Sequence, residues 1–261
     1  MFVFVAALKQ ELAAFQHAVV IERREEIGGA PVADGHADGV AVTLVQSGMG
    51  RQRASRATRL AIERDRPDAI VSVGFSGGLS PEIRGADLVL GRRLLVAEPM
   101  EPGGEPVIGT DVITVDPSLL EASTIALEEG LLPVRSGDLV SVPQVLTGPQ
   151  EKERLGRQSS ALLVDMESYW VAHTAREAGV PFLAARVASD EVGDTLPDFA
   201  RFVDEMGNVR LMPALWYFLT HPQHMLATPV LASNARAGAR NLASFGALFL
   251  TMVYKGVAVG R

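Results

Sequence analysis

Short apolar runs alternate with segments of helical spacing along most of this 261-residue chain, and no other feature constrains its fold as strongly. Strand-like runs rich in Val, Ile, Leu or Phe occupy residues 2–8, 40–48, 68–75, 88–99, 136–142, 161–166 and 181–189. Helical spacing occupies residues 9–19, 50–65, 118–130 and 167–179, and Pro67 and Pro181 prevent two of these helices from continuing. Such an alternation is typical of a mainly parallel sheet with helices on both faces.

We therefore expect an α/β fold. It would be a single three-layer domain over residues 1–261, with a central mixed, mainly parallel sheet flanked by helices. From residue 206 onward the pattern becomes helical and apolar, which predicts a helical C-terminal extension over residues 206–261. Its apolar stretch at 241–254 is too short for an ordinary membrane span and is interpreted as a packed helix. An oligomer contact or a weak membrane-surface contact are the alternatives.

The charge and the residue content exclude several classes of function. A net charge of −7 argues against a nucleic-acid partner, because binding to that backbone depends on clustered Lys and Arg. The chain has no cysteine, which excludes disulfides, thiolate metal ligands and a Cys nucleophile. Its five histidines lack metal-binding spacing, so neither a metal nor a cofactor is expected. The N-terminus has no signal-peptide pattern, and a cytoplasmic location is expected.

Polar clusters follow several of the predicted strands. They are Glu11, Ser47–Gly50 (SGMG), Gly74–Gly78 (GFSGG), Asp165 with Glu167, and Ser189 with Asp190. In open α/β sheets, ligands bind outside the carboxyl ends of the strands. The sheet is therefore predicted to gather these carboxylates and glycines around one crevice.

Each cluster also has a purely structural interpretation. The glycine segments can be turns, and their spacing matches neither GxGxxG nor a Walker loop. Glu11 can lie on a solvated helix face, Glu167 can be a first-turn acid, and Asp190 can cap a helix. Arg51 or Arg53 can belong to a solvated face or can meet an anion.

Three segments together resemble the nucleoside phosphorylase superfamily: SGMG (47–50), GFSGGLSPEIRGADLVLG (74–91) and VDMESYWVAHTAREAGVPFLAARVASDEVGD (164–194). The resemblance covers about residues 1–195 and is strongest to the nucleosidase branch. That branch includes 5′-methylthioadenosine/S-adenosylhomocysteine nucleosidases and the related hopanoid-associated nucleosidases/phosphorylases. The resemblance implies a small-molecule nucleoside substrate and hydrolysis of a 5′-modified adenosine, of the methylthioadenosine, S-adenosylhomocysteine or adenosylhopane type, which releases adenine.

The same resemblance assigns roles to residues. Asp190 would be the general acid that protonates the leaving purine at N7, with Ser189 holding it or the base. Glu167 would accept hydrogen bonds from the ribose hydroxyls, and Met166 would pack against the sugar. Glu11 would activate water, which favours hydrolysis, because the phosphorylase branch usually has a Gly and an Arg in that region. Asp165 is expected to point away from the site, since neighbouring strand residues face opposite sides.

The remaining predicted contacts surround the substrate. The base would meet Val140, Ser141 and Val142, and Ser76 and Gly77 would line the site. Phe75 stands where a small polar residue is expected and would stack on the base or reshape the sugar side. The 5′ group would face Met49. Apolar residues of the extension would be core, an oligomer interface or a groove for a bulky apolar 5′ group: Leu211, Met212, Leu215, Trp216, Phe218 and Leu219.

Two other functions within the superfamily stay open. One is phosphorolysis of a purine nucleoside to base and ribose 1-phosphate, with Arg51 as a candidate anion ligand. The other is a nucleoside-binding protein that has lost catalysis. A homo-oligomer, a dimer or larger, is expected by the resemblance.

Overall fold

The computed structural model describes residues 1–13, 15, 18–98, 106–198, 204, 206 and 223–259, with backbone alone at 223–228 and 252–259. The strands are β1 Phe2–Ala6, β2 Val20–Ile27, β3 Ala30–Ala37, β4 Val40–Gln46, β5 Ala69–Gly78, β6 Leu88–Val96, β7 Ile113–Thr114, β8 Val134–Ser141, β9 Leu163–Asp165 and β10 Phe182–Asp190. The helices are α1 Lys9–Ala13, α2 Arg51–Asp65, α3 Pro117–Glu129, α4 Pro149–Ser159, α5 Ser168–Glu177 and α6 Gln223–Val259.

The strands form one mixed sheet, which confirms the predicted fold class. Strands β4, β1, β5 and β10 pair in parallel, and the antiparallel β2–β3 hairpin extends the sheet beyond β4. Strand β10 also pairs with β6, β6 with β8, β8 with β9, and β9 with β5. Strands β5, β10, β6, β8 and β9 therefore close into a ring, and closure removes free edges from this half of the sheet.

The sequence pattern missed four elements, which are strands β2, β3 and β7 and helix α4. The β2 sequence, VIERREEI, does not alternate apolar and polar residues as a half-buried strand would. Its side chains are exposed or half-buried at the edge of the sheet. Helix α4, PQEKERLGRQS, is polar along most of its length, although Lys152, Leu155 and Ser159 are buried. Helix α1 is shorter than predicted and ends at Ala13.

The C-terminal helix α6 packs on β10 and α3, as the packed-helix interpretation predicted for this stretch. Its buried side chains are Leu242, Phe245, Phe249 and Leu250. Phe249 packs edge-on against Phe2 of β1, with ring centroids 5.4 Å apart. Among the helices of the described residues, none combines the length and apolarity needed to cross a membrane.

Candidate active site

Glu11 lies in the interior of the protein, beyond the end of β1. Its carboxylate accepts hydrogen bonds from the backbone N–H groups of Leu8 and Phe75, each at 2.7 Å. The side chain is 3% exposed, so a solvated helix face does not describe it. The bond to Phe75 attaches the carboxylate to the carboxyl end of β5, where the sequence predicted the crevice.

Arg186 approaches the same carboxylate from β10. The Cβ of any side chain at Gly74 would lie within 3.0 Å of both Arg186 Nη1 and Glu11 Oε1. Glycine at position 74 therefore leaves room for these two groups to approach each other, and no side chain separates them. Arg186 is 2% exposed, although it lies in an otherwise apolar strand.

Asp165 holds the other side of the Arg186 guanidinium. Arg186 Nε lies 2.8 Å from Asp165 Oδ2 and 2.8 Å from Ser168 Oγ, and Nη2 donates to Ser72 Oγ at 2.8 Å. Asp165 Oδ1 also accepts hydrogen bonds from the backbone N–H groups at the start of α5. The Asp165 side chain thus binds the N–H groups at the start of α5 and neutralises Arg186, and its place outside the substrate site stays a prediction.

Glu167 is the N-cap residue of α5, but its side chain makes no capping hydrogen bond and faces the SGMG segment. Its Oε1 accepts a hydrogen bond from the Gly50 N–H at 2.6 Å, and the side chain is buried. Met166 lies on the same segment, with its Cε 3.9 Å from the position of a Cβ at Gly50. The structure therefore joins the SGMG and VDMES motifs, which are more than one hundred residues apart in the chain.

Burial raises the pKa of both glutamates. Burial raises the pKa of the Glu11 carboxyl, and the charge of Arg186 opposes this effect. Burial and then the charge of Asp165 raise the pKa of Glu167 to about 8, and Glu11 contributes in the same direction. The two glutamates, Asp165 and Arg186 therefore form one electrostatic unit that carries more carboxyl groups than cations.

Asp190 is the last residue of β10 and lies beside Gly77, near the carboxyl end of β5. Its carboxyl oxygens lie 3.4 and 3.6 Å from the position of a Cβ at Gly77. Ser189 Oγ donates to Asp190 Oδ1 at 2.6 Å and also lies 3.2 Å from the Ser76 carbonyl oxygen. Asp190 is 1% exposed, and burial raises its pKa. No helix begins at Asp190, so a helix-capping role does not describe it.

Ser76 has a polar group without a partner. Its Oγ is buried and makes no hydrogen bond among the described residues. A buried hydroxyl without a partner is unfavourable unless water or a ligand satisfies it. That this segment lines the substrate site stays a prediction.

The predicted base-binding segment lies at the end of β8, and its side chains already have partners within the protein. The side chains of Val140 and Val142 are buried in a small apolar cluster. Ser141 Oγ donates to Asp165 Oδ1 at 2.5 Å and accepts from the Tyr169 N–H at 3.0 Å. Contact between these residues and a base stays a prediction, and the Ser141 hydroxyl is committed to the Asp165 cluster.

The remaining predicted contacts have different outcomes. Met49 is half-buried next to Gly50. The Phe75 ring reaches α6, where its Cε1 lies 3.1 Å from the position of a Cβ at Gly238. The Arg51 guanidinium stacks 3.9 Å above the Trp170 ring. The predicted apolar groove at 211–219 lies outside the described residues.

Comparisons with known proteins place this arrangement in a family. A family model described as the phosphorylase superfamily matches residues 2–211. The chain belongs to the phosphorylase superfamily. Within it, a 5′-methylthioadenosine/S-adenosylhomocysteine nucleosidase of Mycobacterium tuberculosis is 29% identical over 245 residues, 81% of this chain and 96% of that one. A Staphylococcus epidermidis nucleosidase of the same name is 29% identical over 172 residues, 63% of this chain and 75% of that one.

Solved structures share the superfamily fold. The Neisseria meningitidis 5′-methylthioadenosine/S-adenosylhomocysteine nucleosidase in complex with methylthio-immucillin-A has a TM-score of 0.73 and 19% identity, covering 95% of this chain and 97% of that one. The futalosine hydrolase of Helicobacter pylori has a TM-score of 0.70 and 19% identity, covering 94% and 96%. The hopanoid-associated part of the resemblance stays a prediction.

Two charged residues of this superfamily member were missed in the sequence. Arg186 was included in a buried strand, and Lys152 lies in a segment to which no helix was assigned. The signal for Arg186 was available, since a lone Arg between Ala185 and Val187 needs a buried partner. Nothing in the local pattern distinguishes Lys152 from a solvated lysine. Among the described residues, no group of His and acidic side chains could hold a metal ion.

Proposed function

We propose that this protein hydrolyses the N-glycosidic bond of a purine nucleoside, a 5′-modified adenosine, and releases adenine. One observation carries the proposal: two buried carboxyl groups, those of Glu11 and Asp190, meet the end of β5 at Gly74 and Gly77. Hydrolysis of a glycosidic bond requires an acid for the leaving group and a base for the attacking water. Two separately held carboxyl groups around one short segment can supply both.

Asp190 is assigned to the leaving base. When the bond between ribose C1′ and the purine breaks, both bonding electrons stay with the base. A proton transferred from Asp190 to N7 neutralises that charge. Burial of Asp190 favours the protonated form that such a donor needs. Ser189, hydrogen-bonded to Oδ1, fixes the orientation of the carboxyl group.

Glu11 and Glu167 are assigned to the sugar side. Glu11 would take a proton from water as the water oxygen attacks C1′. Its bonds to the Leu8 and Phe75 N–H groups hold it in place for this step. Glu167 would bind the ribose hydroxyls, and the ionised Glu11 carboxylate would stabilise the positive charge that develops on the ribose.

The charge of the pocket favours water over phosphate as the nucleophile. Arg186 is the cation that acts on both Glu11 and Glu167, and Asp165 already neutralises it. A phosphate anion in this position would face an excess of carboxyl groups. Arg51, the alternative anion ligand, is stacked on Trp170. The assignment of a 5′-modified adenosine rests on the names of the relatives.

The decisive experiment is adenine release from 5′-methylthioadenosine, S-adenosylhomocysteine and a long-chain 5′-alkyl adenosine, each with and without phosphate. Release that does not require phosphate is expected, together with free ribose of the 5′-modified type. Release that occurs only with phosphate would show that the reaction is phosphorolysis. No release from any nucleoside, in a sample that binds one of them, would leave a nucleoside-binding protein without catalysis.

Assembly and location belong to the same proposal. We expect a homo-oligomer, a dimer or larger, and a cytoplasmic location without nucleic-acid contact. Light scattering coupled to size exclusion tests the first expectation. A mass equal to that of one chain at micromolar concentration would contradict it.

A further inference from the structure

Lys152 is a buried lysine on a polar helix. The other charged residues of helix α4 are exposed or half-buried, yet the side chain of Lys152 is 1% exposed. Its neighbours Glu151 and Glu153 are half-buried and exposed, respectively. A lysine is almost never fully buried unless it is paired, so the partner of Lys152 is informative.

The ammonium group of Lys152 binds the end of β10 and the segment after it. Nζ donates to Asp190 Oδ2 at 2.6 Å, to the Glu191 carbonyl oxygen at 2.9 Å and to the Asp194 carbonyl oxygen at 2.8 Å. An ammonium group has three N–H donors, so all of them are used. All three acceptors lie within residues 190–194, and one of them is the carboxyl group of the proposed general acid.

The other groups around Asp190 leave Lys152 as its counter-ion. Ser189 donates to Oδ1, and Gly77 of β5 contributes no side chain. Asp194 is an acid, and its Oδ2 accepts the Glu191 N–H. Glu191 directs its carboxylate to Arg84, at 3.3 Å, and to the Gly85 N–H. Burial raises the pKa of Asp190, and the charge of Lys152 is the largest effect that lowers it.

Stability alone does not account for such a pair. A buried ion pair is often no more stabilising than apolar side chains of similar volume, because desolvation of both charges offsets their attraction. The pair does hold one carboxyl oxygen in a fixed position while the other contacts Ser189. It also opposes the effect of burial on the protonation of Asp190.

We propose that Lys152 is a positioning residue for the reaction, which fixes the Asp190 carboxyl group and limits the pH range in which that group carries its proton. This inference rests on the proposed function, in which Asp190 is the general acid. Removal of the ammonium charge leaves Asp190 buried without a counter-ion. Asp190 then keeps its proton to higher pH, and it becomes a weaker and less well-oriented acid.

The test is the pH profile of kcat/KM for Lys152→Met with 5′-methylthioadenosine. An opposite charge at this distance lowers the pKa of a carboxyl group by about 1–3 units. We therefore expect the alkaline limb of the profile to move to higher pH by about 1–3 units, with a lower plateau rate. Lys152→Gln, which is neutral but retains a hydrogen-bond donor, provides the same test if the Met variant does not fold.

A rescue experiment separates charge from packing. Because the chain has no cysteine, Lys152→Cys can be aminoethylated under denaturing conditions at that position alone and then refolded. The thioether side chain restores the ammonium group, and the limb should return toward that of the natural protein. Leu155→Ala, a buried neighbour on the same helix, should lower stability without moving the limb.

The contrary outcomes are distinct from failure of the proposed function. An alkaline limb at the same pH in Lys152→Met and the natural protein would overturn the role of Lys152 while hydrolysis stands. If the natural protein cleaves no nucleoside, an infrared titration replaces the rate measurement. The carboxyl band of Asp190 is identified as the band that disappears in Asp190→Asn, and its intensity is followed as the pH changes. Titration of that band at the same pH with and without Lys152 would overturn the inference without reference to catalysis.

Discussion

Arg186 and Asp165 form an ion pair in the interior of the protein, with Arg186 Nε 2.8 Å from Asp165 Oδ2 and each side chain 2% exposed. The pair connects the middle of β10 with the carboxyl end of β9 and leaves another part of the guanidinium facing Glu11. One arginine thus supports both the fold and the electrostatics of the candidate site.

Replacement of Arg186 by Met should destabilise the protein by about 3–5 kcal/mol, the usual cost of leaving a buried charge unpaired. Asp165 would lose its counter-ion, and Glu11 and Glu167 would lose the cation that opposes their protonation. The measurement is the free energy of unfolding in urea. Replacement of the exposed Arg157 by Met is the matched control, with a change of less than about 1 kcal/mol. Similar losses in both variants would contradict the role of the ion pair.

Replacement of Gly74 by Ala should reduce hydrolysis about 100-fold, because a displacement of about 1 Å at a catalytic group has an effect of that size. The new Cβ would occupy the space between Arg186 Nη1 and Glu11 Oε1. The measurement is kcat/KM with 5′-methylthioadenosine. Gly148→Ala, whose Cβ meets only Glu151 Oε2 at 3.8 Å, should retain activity. Full activity in Gly74→Ala would show that Glu11 tolerates displacement.

Replacement of Glu11 by Gln should lower the rate of phosphate-independent adenine release by 100-fold or more, since general-base catalysis contributes about 10²–10⁴-fold. The amide retains the shape of the side chain and removes the base. Glu177→Gln on the exposed part of α5 serves as the control. Retention of the full hydrolytic rate in Glu11→Gln would exclude water activation by this residue.

Replacement of Asp190 by Asn should lower kcat by about 10²–10⁴-fold while nucleoside binding persists, because the amide cannot donate the proton of a carboxylic acid. Isothermal titration with 5′-methylthioadenosine and the rate of adenine release measure the two effects. Asp38→Asn, in the exposed turn between β3 and β4, is the control. A rate equal to that of the natural protein would assign the acid to another group.

Replacement of Glu167 by Gln should stabilise the protein, and the gain in the free energy of unfolding should increase as the pH rises. The pKa of Glu167 is about 8 in the folded state, above that of an unfolded chain, so folding retains its proton between about pH 4.5 and 8. The unfolded chain ionises Glu167 in this range while the folded protein does not, so the stability of the natural protein falls as the pH rises. Each unit of pKa difference corresponds to about 1.4 kcal/mol. Urea unfolding at pH 5, 6.5 and 8 measures the gain, and a difference independent of pH would contradict the raised pKa.

Much of the sheet could be predicted because its strands are buried on both faces. The predicted strands at 40–48, 68–75 and 181–189 correspond to β4, β5 and β10 within a few residues. Apolar runs of this kind have few alternatives to an inner strand. The polar residues that end them identified the crevice, since parallel strands place their carboxyl ends on one edge.

The hairpin β2–β3 and helix α4 could not be predicted in the same way. Both have charged sequences, and their position depends on what lies next to them. Among the strands that the structure describes, β2 pairs with β3 alone at the sheet edge, so its side chains need no apolar face. Helix α4 buries a lysine because an acid from a distant strand meets it there.

The sequence alone determined the α/β alternation, the strand ends and the candidate carboxylates Glu11, Glu167 and Asp190, because these depend on local periodicity and on motifs. The tertiary structure alone decided which charges meet: Arg186 with Asp165 and Glu11, and Lys152 with Asp190. Such pairings depend on burial and on distances of a few ångströms between remote segments. The energy of a charge changes steeply with both, so neither residue type nor spacing along the chain specifies them.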